Sequence, residues 1–123
     1  MKNNPIPPEI HSLLVNQKKK TRIPTHSIIM LEGYINYTII HLQNGKQRLY
    51  ARTLGYFEAL LSQEHFIRVH RGYLVNTSFI VEYNKDLQCL HLQNNIEVRI
   101  SRRKRGITLH NLNKWRITET LKP

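Results

Sequence analysis

This chain of 123 residues has little of what builds stapled, membrane-spanning or catalytic proteins. Cysteine occurs once, at Cys89. Neither an internal disulfide framework nor a Cys-rich zinc module can form, which fits a reducing compartment, and a half-buried strand residue is the plain reading of that thiol. No apolar run approaches the roughly 18 residues of a membrane span. Met1 to Glu9 has no apolar stretch of signal-peptide type, so a cytoplasmic protein without a membrane partner is expected. The 8 acids are scattered, with no adjacent pair for general acid and base work. Glycine-rich phosphate loops are missing too. No enzyme activity and no cofactor are expected. Seven histidines are present, but none stands in a His-x-x-x-His or Cys-x-x-Cys spacing, so no metal site is expected either.

Positive charge, in contrast, is abundant. Nineteen Lys and Arg against 8 Asp and Glu leave 19 − 8 = +11 with histidine neutral. With 40% apolar residues the excess does not imply disorder, and the length suits one domain with one real core. Such a fixed positive field asks for an acidic partner, nucleic acid or an anionic surface first.

Residues 1–22 differ from the rest, with Pro5, Pro7 and Pro8 early and Lys18, Lys19 and Lys20 late. They read as a tail or linker. Within it, Pro8 at a first-turn position followed by Ile10, Leu13 and Leu14 has the spacing of a short apolar helix stripe. From Ile28 the pattern is that of strands separated by turn signals. Tyr37 to Gln43 and Lys46 to Arg52 flank Asn44-Gly45, a pair suited to a two-residue type I′ turn. That turn sets Ile40 against Leu49, Thr38 against Ala51, His41 against Arg48 and Tyr37 against Arg52.

Thr53 is an apt N-cap for a helix to about Gln63, with Leu54, Phe57, Leu60 and Leu61 on one side and Gly55 keeping it short. Phe66 to Val69 and Tyr73 to Asn76 follow as strands around His70-Arg71-Gly72. Phe79 to Tyr83 and Leu87 to Leu92 continue the pattern. A three-residue loop, Gln93 to Asn95, sets Leu92 against Ile96, His91 against Glu97 and Leu90 against Val98, which keeps the apolar set on one face. The segment after Ile100 has little strand character, and Ser101 is placed to cap the next turn or to give its hydroxyl to a phosphate.

Basic residues concentrate where the strands end. Five of the seven residues from Arg99 to Arg105 are Arg or Lys, and no acid occurs from Val98 to Thr118. Phosphate neutralisation with counterion release accounts for such a cluster, and Arg suits bidentate contacts with guanine.

Phe66-Ile67-Arg68-Val69-His70-Arg71-Gly72-Tyr73-Leu74-Val75-Asn76 resembles the core signature of the LytTR-type DNA-binding domain of bacterial response regulators. Leu31-Glu32 followed by Asn36-Tyr37, then Arg52-Thr53-Leu54, then Ile100-Ser101-Arg102-Arg103 match in the same order. The resemblance covers about Ile23 to Leu109, giving a tail over 1–22, a LytTR-like domain over 23–110 and a C-terminal tail over 111–123. It implies a mostly β, elongated fold of about ten strands in small antiparallel sheets, with one or two short helices. It further implies binding to double-stranded DNA through loops that reach two successive major grooves, commonly on repeated sites.

By motif position, Asn36, Arg71 and Arg103 would contact bases. His70, Gly72, Ser101, Arg102, Lys104 and Arg105 would contact phosphates. Gly72 stands where the family usually has serine, leaving only its backbone N–H as a donor. The family's usual receiver domain does not fit into 123 residues. Either the domain is freestanding, controlled by a separate signalling partner, by dimerisation or by its expression level, or it is part of a longer protein. The competing readings are a basic β-module that stacks RNA or single strands on Tyr34, Tyr37, Tyr50 and Tyr56, and an adaptor for acidic partners without base specificity.

Overall fold

The structure, a computed structural model, describes residues 12–16, 18–62, 64–114 and 119–120. Pro5, Pro7, Pro8, Ile10 and Gln63, named above, lie outside these residues. The first described segment is not a helix. Strand β1 (Ser12–Asn16) turns through the exposed lysines 18–20 into β2 (Thr21–Pro24). Leu13 pairs with Ile23 and both are buried. Leu14 is on the other face, because neighbouring residues of a strand point to opposite sides, so the stripe that suggested a helix is divided between two faces.

Next come β3 (Ile28–Tyr34), β4 (Tyr37–Leu42), β5 (Gln47–Tyr50) and helix α1 (Leu54–Leu60). Strands β6 (Phe66–His70), β7 (Tyr73–Asn76), β8 (Ile80–Asn84), β9 (Cys89–Leu92) and β10 (Ile96–Arg99) follow. Helix α2 (Arg105–Lys114) and a two-residue strand β11 (Glu119–Thr120) complete the described elements. The chain is therefore mostly β, in small sheets with two short helices. One sheet runs β5-β4-β3-β7-β6, a second β10-β9-β8-β11, and β1-β2 stand apart. Every pairing is antiparallel except β8 with β11.

The five-stranded sheet is the middle layer. On one side Ile29, Met30, Val69 and Val75 pack with Tyr83, Leu90 and Val98 of the second sheet, with Ile100 just after β10, and with Leu112 of α2. On the other, Ile28, Leu31, Ile40 and Leu74 pack with Leu13 and Ile23 of the hairpin and with Leu54, Phe57 and Leu61 around α1. Strand β3 is buried on both faces for its first four residues, which explains the unbroken apolar run Ile28 to Leu31. Thr53 caps α1 as expected, its side chain accepting the Tyr56 N–H at 3.3 Å. Leu60, expected on the buried side, is exposed, because the stripe that packs is Leu54, Phe57 and Leu61.

The two hairpins answer the sequence differently. In the second, Leu92 pairs with Ile96, His91 with Glu97 and Leu90 with Val98, the expected register. Asn94 and Asn95 adopt left-handed φ values of 64° and 59° in the loop. In the first, Thr38 pairs with Tyr50, Ile39 with Leu49, Ile40 with Arg48 and His41 with Gln47, one residue away from the expected register. Gly45 alone of the Asn-Gly pair is left-handed, at φ 89°. Its N–H bonds to Leu42 O at 3.0 Å and Leu42 N–H bonds to Lys46 O at 2.9 Å, closing a loop of three residues rather than two. The side chain of Asn44 takes the Lys46 N–H at 2.9 Å and holds that loop. The shift leaves Leu49 on the outside, 64% exposed, opposite Ile39.

Candidate nucleic-acid interface

The basic residues gather where two chain reversals meet. Strand β6 presents Ile67 and Val69 to the core between the two large sheets, so alternation sends Arg68 to the opposite face, toward α1. There its Nε donates to His70 O at 3.0 Å, one terminal nitrogen donates to Arg71 O, and the other reaches Glu58 Oε1 at 2.5 Å. The guanidinium thus ties two carbonyls of the β6–β7 turn to the helix. Arg71, the middle residue of that turn, is exposed. Sequence reading singled out Arg71 and left Arg68 without a role. The signal for Arg68 was present in the Ile67 and Val69 alternation.

His70 closes the same turn. Its Nδ1 accepts the Gly72 N–H at 3.0 Å and its ring lies 4.9 Å from that of Tyr73. With Nδ1 accepting, the neutral imidazole carries its proton on Nε2, which is the atom left to donate to a phosphate. Gly72 fares differently as a phosphate contact, because its N–H is already committed to His70 and its carbonyl accepts from Gly33 N at 2.8 Å. The donor expected of Gly72 is occupied within the protein.

The second basic element is fixed to the first by one backbone bond. Ser101 N–H donates to Val69 O at 2.9 Å, docking the exit of β10 beside β6. A single 3-10 turn, Arg102 to Lys104, follows and runs into α2. Ser101 is the N-cap of this turn and its carbonyl accepts Lys104 N–H at 2.9 Å, while its hydroxyl makes no capping bond, so of the two uses expected for the residue the side-chain cap is not the one made. Arg102, Arg103 and Arg105 are exposed and Lys104 is half-buried.

Two open grooves result. One, of about 600 Å³, is lined by His70, Arg71, Ser101, Arg102, Arg103 and Lys104. The other is lined by Gly33, Tyr34, Ile35, Thr53, Leu54, Gly55, Arg68, Arg71 and Gly72. Arg71 stands between them. The turn after β3 borders the second groove, and Asn36 sits exposed in it beside Ile35. This turn can approach α1 and the Gly72 carbonyl because Gly33 has no side chain; a Cβ there would come within 3.0 Å of Leu54 Cβ. Arg71 and Arg103 are therefore brought to one groove, and Arg71 also lines the groove bordered by the turn that carries Asn36, which itself lines neither. Arg105 lines neither.

Ile35 carries a feature that the sequence did not signal. It holds φ 55° while 81% exposed, a conformation in which β-branched residues are outliers. The four tyrosines of the stacking alternative do not form a platform. Tyr34 and Tyr37 are exposed, whereas Tyr50 and Tyr56 pack against Phe57 with ring centroids 6.3 and 5.3 Å away.

The family model for the LytTr DNA-binding domain matches residues 18–113. Among solved structures, a LytTr DNA-binding domain from Bacillus cereus is 22% identical, with a TM-score of 0.70, covering 83% of this chain and 96% of its own. No curated protein matches the chain. Among the described residues no helix is long and apolar enough to cross a membrane.

Proposed function

The chain belongs to the LytTR family of DNA-binding domains, and from that premise we propose that it is a sequence-specific, cytoplasmic transcription regulator that reads successive major grooves of double-stranded DNA with loop residues. Arg103 and Asn36 are the base readers at the two ends, with Arg71 between them. An Arg fork matches guanine O6 and N7, and an Asn amide matches adenine N6 and N7. His70 through Nε2, the Ser101 hydroxyl, Arg102, Lys104 and Arg105 hold the phosphates, which sets position without reading sequence. Two copies on repeated sites and a separate signalling partner complete the regulatory reading.

The observation that carries this proposal is the groove in which Arg71 meets Arg102, Arg103 and Lys104, with Arg71 also lining the groove beside the Asn36 turn. Selection from random duplex DNA at two salt concentrations, followed by Arg103→Ala, tests it. Loss of discrimination at one or two base pairs, worth about 1–3 kcal/mol, is expected. Lys104→Ala should weaken all duplexes alike and lower the salt slope by about one ion. An unchanged ratio of selected to random duplex binding in Arg103→Ala would refute the assignment.

A further inference from the structure

The second sheet turns Leu90, Leu92 and Val98 toward the core. Alternation therefore turns Cys89, His91 and Glu97 the other way. Cys89 is 2% exposed and yet belongs to neither apolar cluster. Its Sγ donates to Glu97 Oε2 at 3.0 Å, and His91 Nε2 lies 3.9 Å from the sulfur and 3.6 Å from the same carboxylate oxygen. One thiol, one imidazole and one carboxylate thus present their ligand atoms within 4.8 Å of one another.

We propose that Cys89, His91 and Glu97, none of which lines either basic groove, bind a single zinc-class divalent cation. The spacing fits. Bond lengths of about 2.3 Å to sulfur and about 2.0–2.2 Å to nitrogen and oxygen put the edges of a tetrahedral face at about 3.4–3.6 Å. The three observed separations bracket that range, and the shortest is the thiol hydrogen bond that metal binding replaces. The donor set selects the ion class, since thiolate and imidazole suit zinc and its neighbours, whereas magnesium and calcium take oxygen. Loading is a ligand exchange without redox change. The ion bonds to sulfur, the S–H bond breaks, and one proton leaves to solvent. Glu82, on β8, is the cross-strand partner of His91 on the side away from Glu97, so a second carboxylate stands on the neighbouring strand. Hairpin register supplies the preorganisation, because His91 and Glu97 are directly paired and Cys89 is two residues along the same strand.

The test is titration of the purified full chain with cobalt(II), without DNA, so its outcome is independent of the groove-reading proposal. Expected are a thiolate-to-cobalt absorption band in the near ultraviolet, visible bands of a tetrahedral ion, proton release, and loss of these bands when zinc is added at one equivalent. Cys89→Ser should abolish the sulfur band. His91→Gln and Glu97→Gln should each weaken zinc binding at least about tenfold, the lower end of what even outer-shell partners contribute. Glu97 is half-exposed, so Glu97→Gln keeps the test available should the Cys89 variant fail to fold. Cobalt binding without a sulfur band, or zinc affinity unchanged in both Glu97→Gln and His91→Gln, would overturn the proposal.

Discussion

Replacing Arg68 and Arg71 in turn separates a residue that shapes the interface from one that meets DNA. Arg68 makes three bonds, two to carbonyls of the β6–β7 turn and one to Glu58, and its side chain is only 20% exposed. Hydrogen bonds from a charged donor are worth about 1.5–3 kcal/mol each in favourable settings. Glu58 is 45% exposed, so solvent screening leaves its share at about 0–1 kcal/mol. Allowing for water taking over part of the remainder, Arg68→Gln should cost about 2–3 kcal/mol. At about 2.1 cal/mol/K of unfolding entropy per residue, that lowers Tm by about 10 °C in this chain. Glu58→Gln should lower it by no more than about 4 °C. Arg71→Ala, at an exposed position, should leave Tm within about 2 °C. It should also relax discrimination at the base pair it reads and, as a lost cation, flatten the salt dependence of DNA binding by about one ion. Thermal unfolding and binding at several salt concentrations measure both quantities on the same proteins. Should Arg68→Gln leave Tm in place and reduce the salt slope by a full ion, Arg68 would be a DNA contact and the bracing argument would fail.

Three further substitutions probe the fold. Thr108 on α2 is 1% exposed and its Oγ1 has no hydrogen-bond partner among the described residues, so the near-isosteric Thr108→Val should stabilise by about 1 kcal/mol in urea unfolding. No gain in the urea midpoint would mean that water reaches that hydroxyl. Ile35→Gly should gain about 1 kcal/mol, since it relieves a positive φ and, at 81% exposure, gives up little burial. A loss of stability would show that the turn is not left-handed there. Gly45→Ala should cost about 1–2 kcal/mol from backbone conformation alone, since a Cβ at Gly45 would meet nothing within 4 Å. A cost near zero would refute the left-handed loop.

The difference between the two hairpins shows what the sequence specifies and what it leaves open. Across the second hairpin, Leu90 and Leu92 on one strand and Ile96 and Val98 on the other leave one register that buries all four, and the expectation and the fold agree. Across the first, β5 offers only Leu49 and Tyr50 as apolar residues, so burial did not choose and the turn chemistry had to. Asn-Gly favours a two-residue loop but also suits a three-residue loop ending in a left-handed glycine. Hairpin β1-β2 was hidden because only Leu13 of the adjacent pair Leu13-Leu14 is buried. Helix α2 was hidden because its buried residues are Thr108 and Leu112, while Ile107 and Leu109 face solvent.

Site residues became legible in proportion to how local their cause is. The Arg102 to Arg105 run is visible because four cations adjoin in the chain, and the meeting of Arg71 with Arg103 follows from the Ser101 to Val69 bond, which joins segments about thirty residues apart. Spacing rules for metal ligands share that limit. They register His-x-x-x-His because a helix turn brings those residues together, but a β-strand brings residues i and i+2 to one face and a hairpin adds a third from across the turn. Cys89-x-His91 with Glu97 is such a pattern. The register that sets His91 against Glu97 was already expected from the burial of Leu90, Leu92, Ile96 and Val98, so the apolar face of this hairpin fixes the ligand geometry on its polar face.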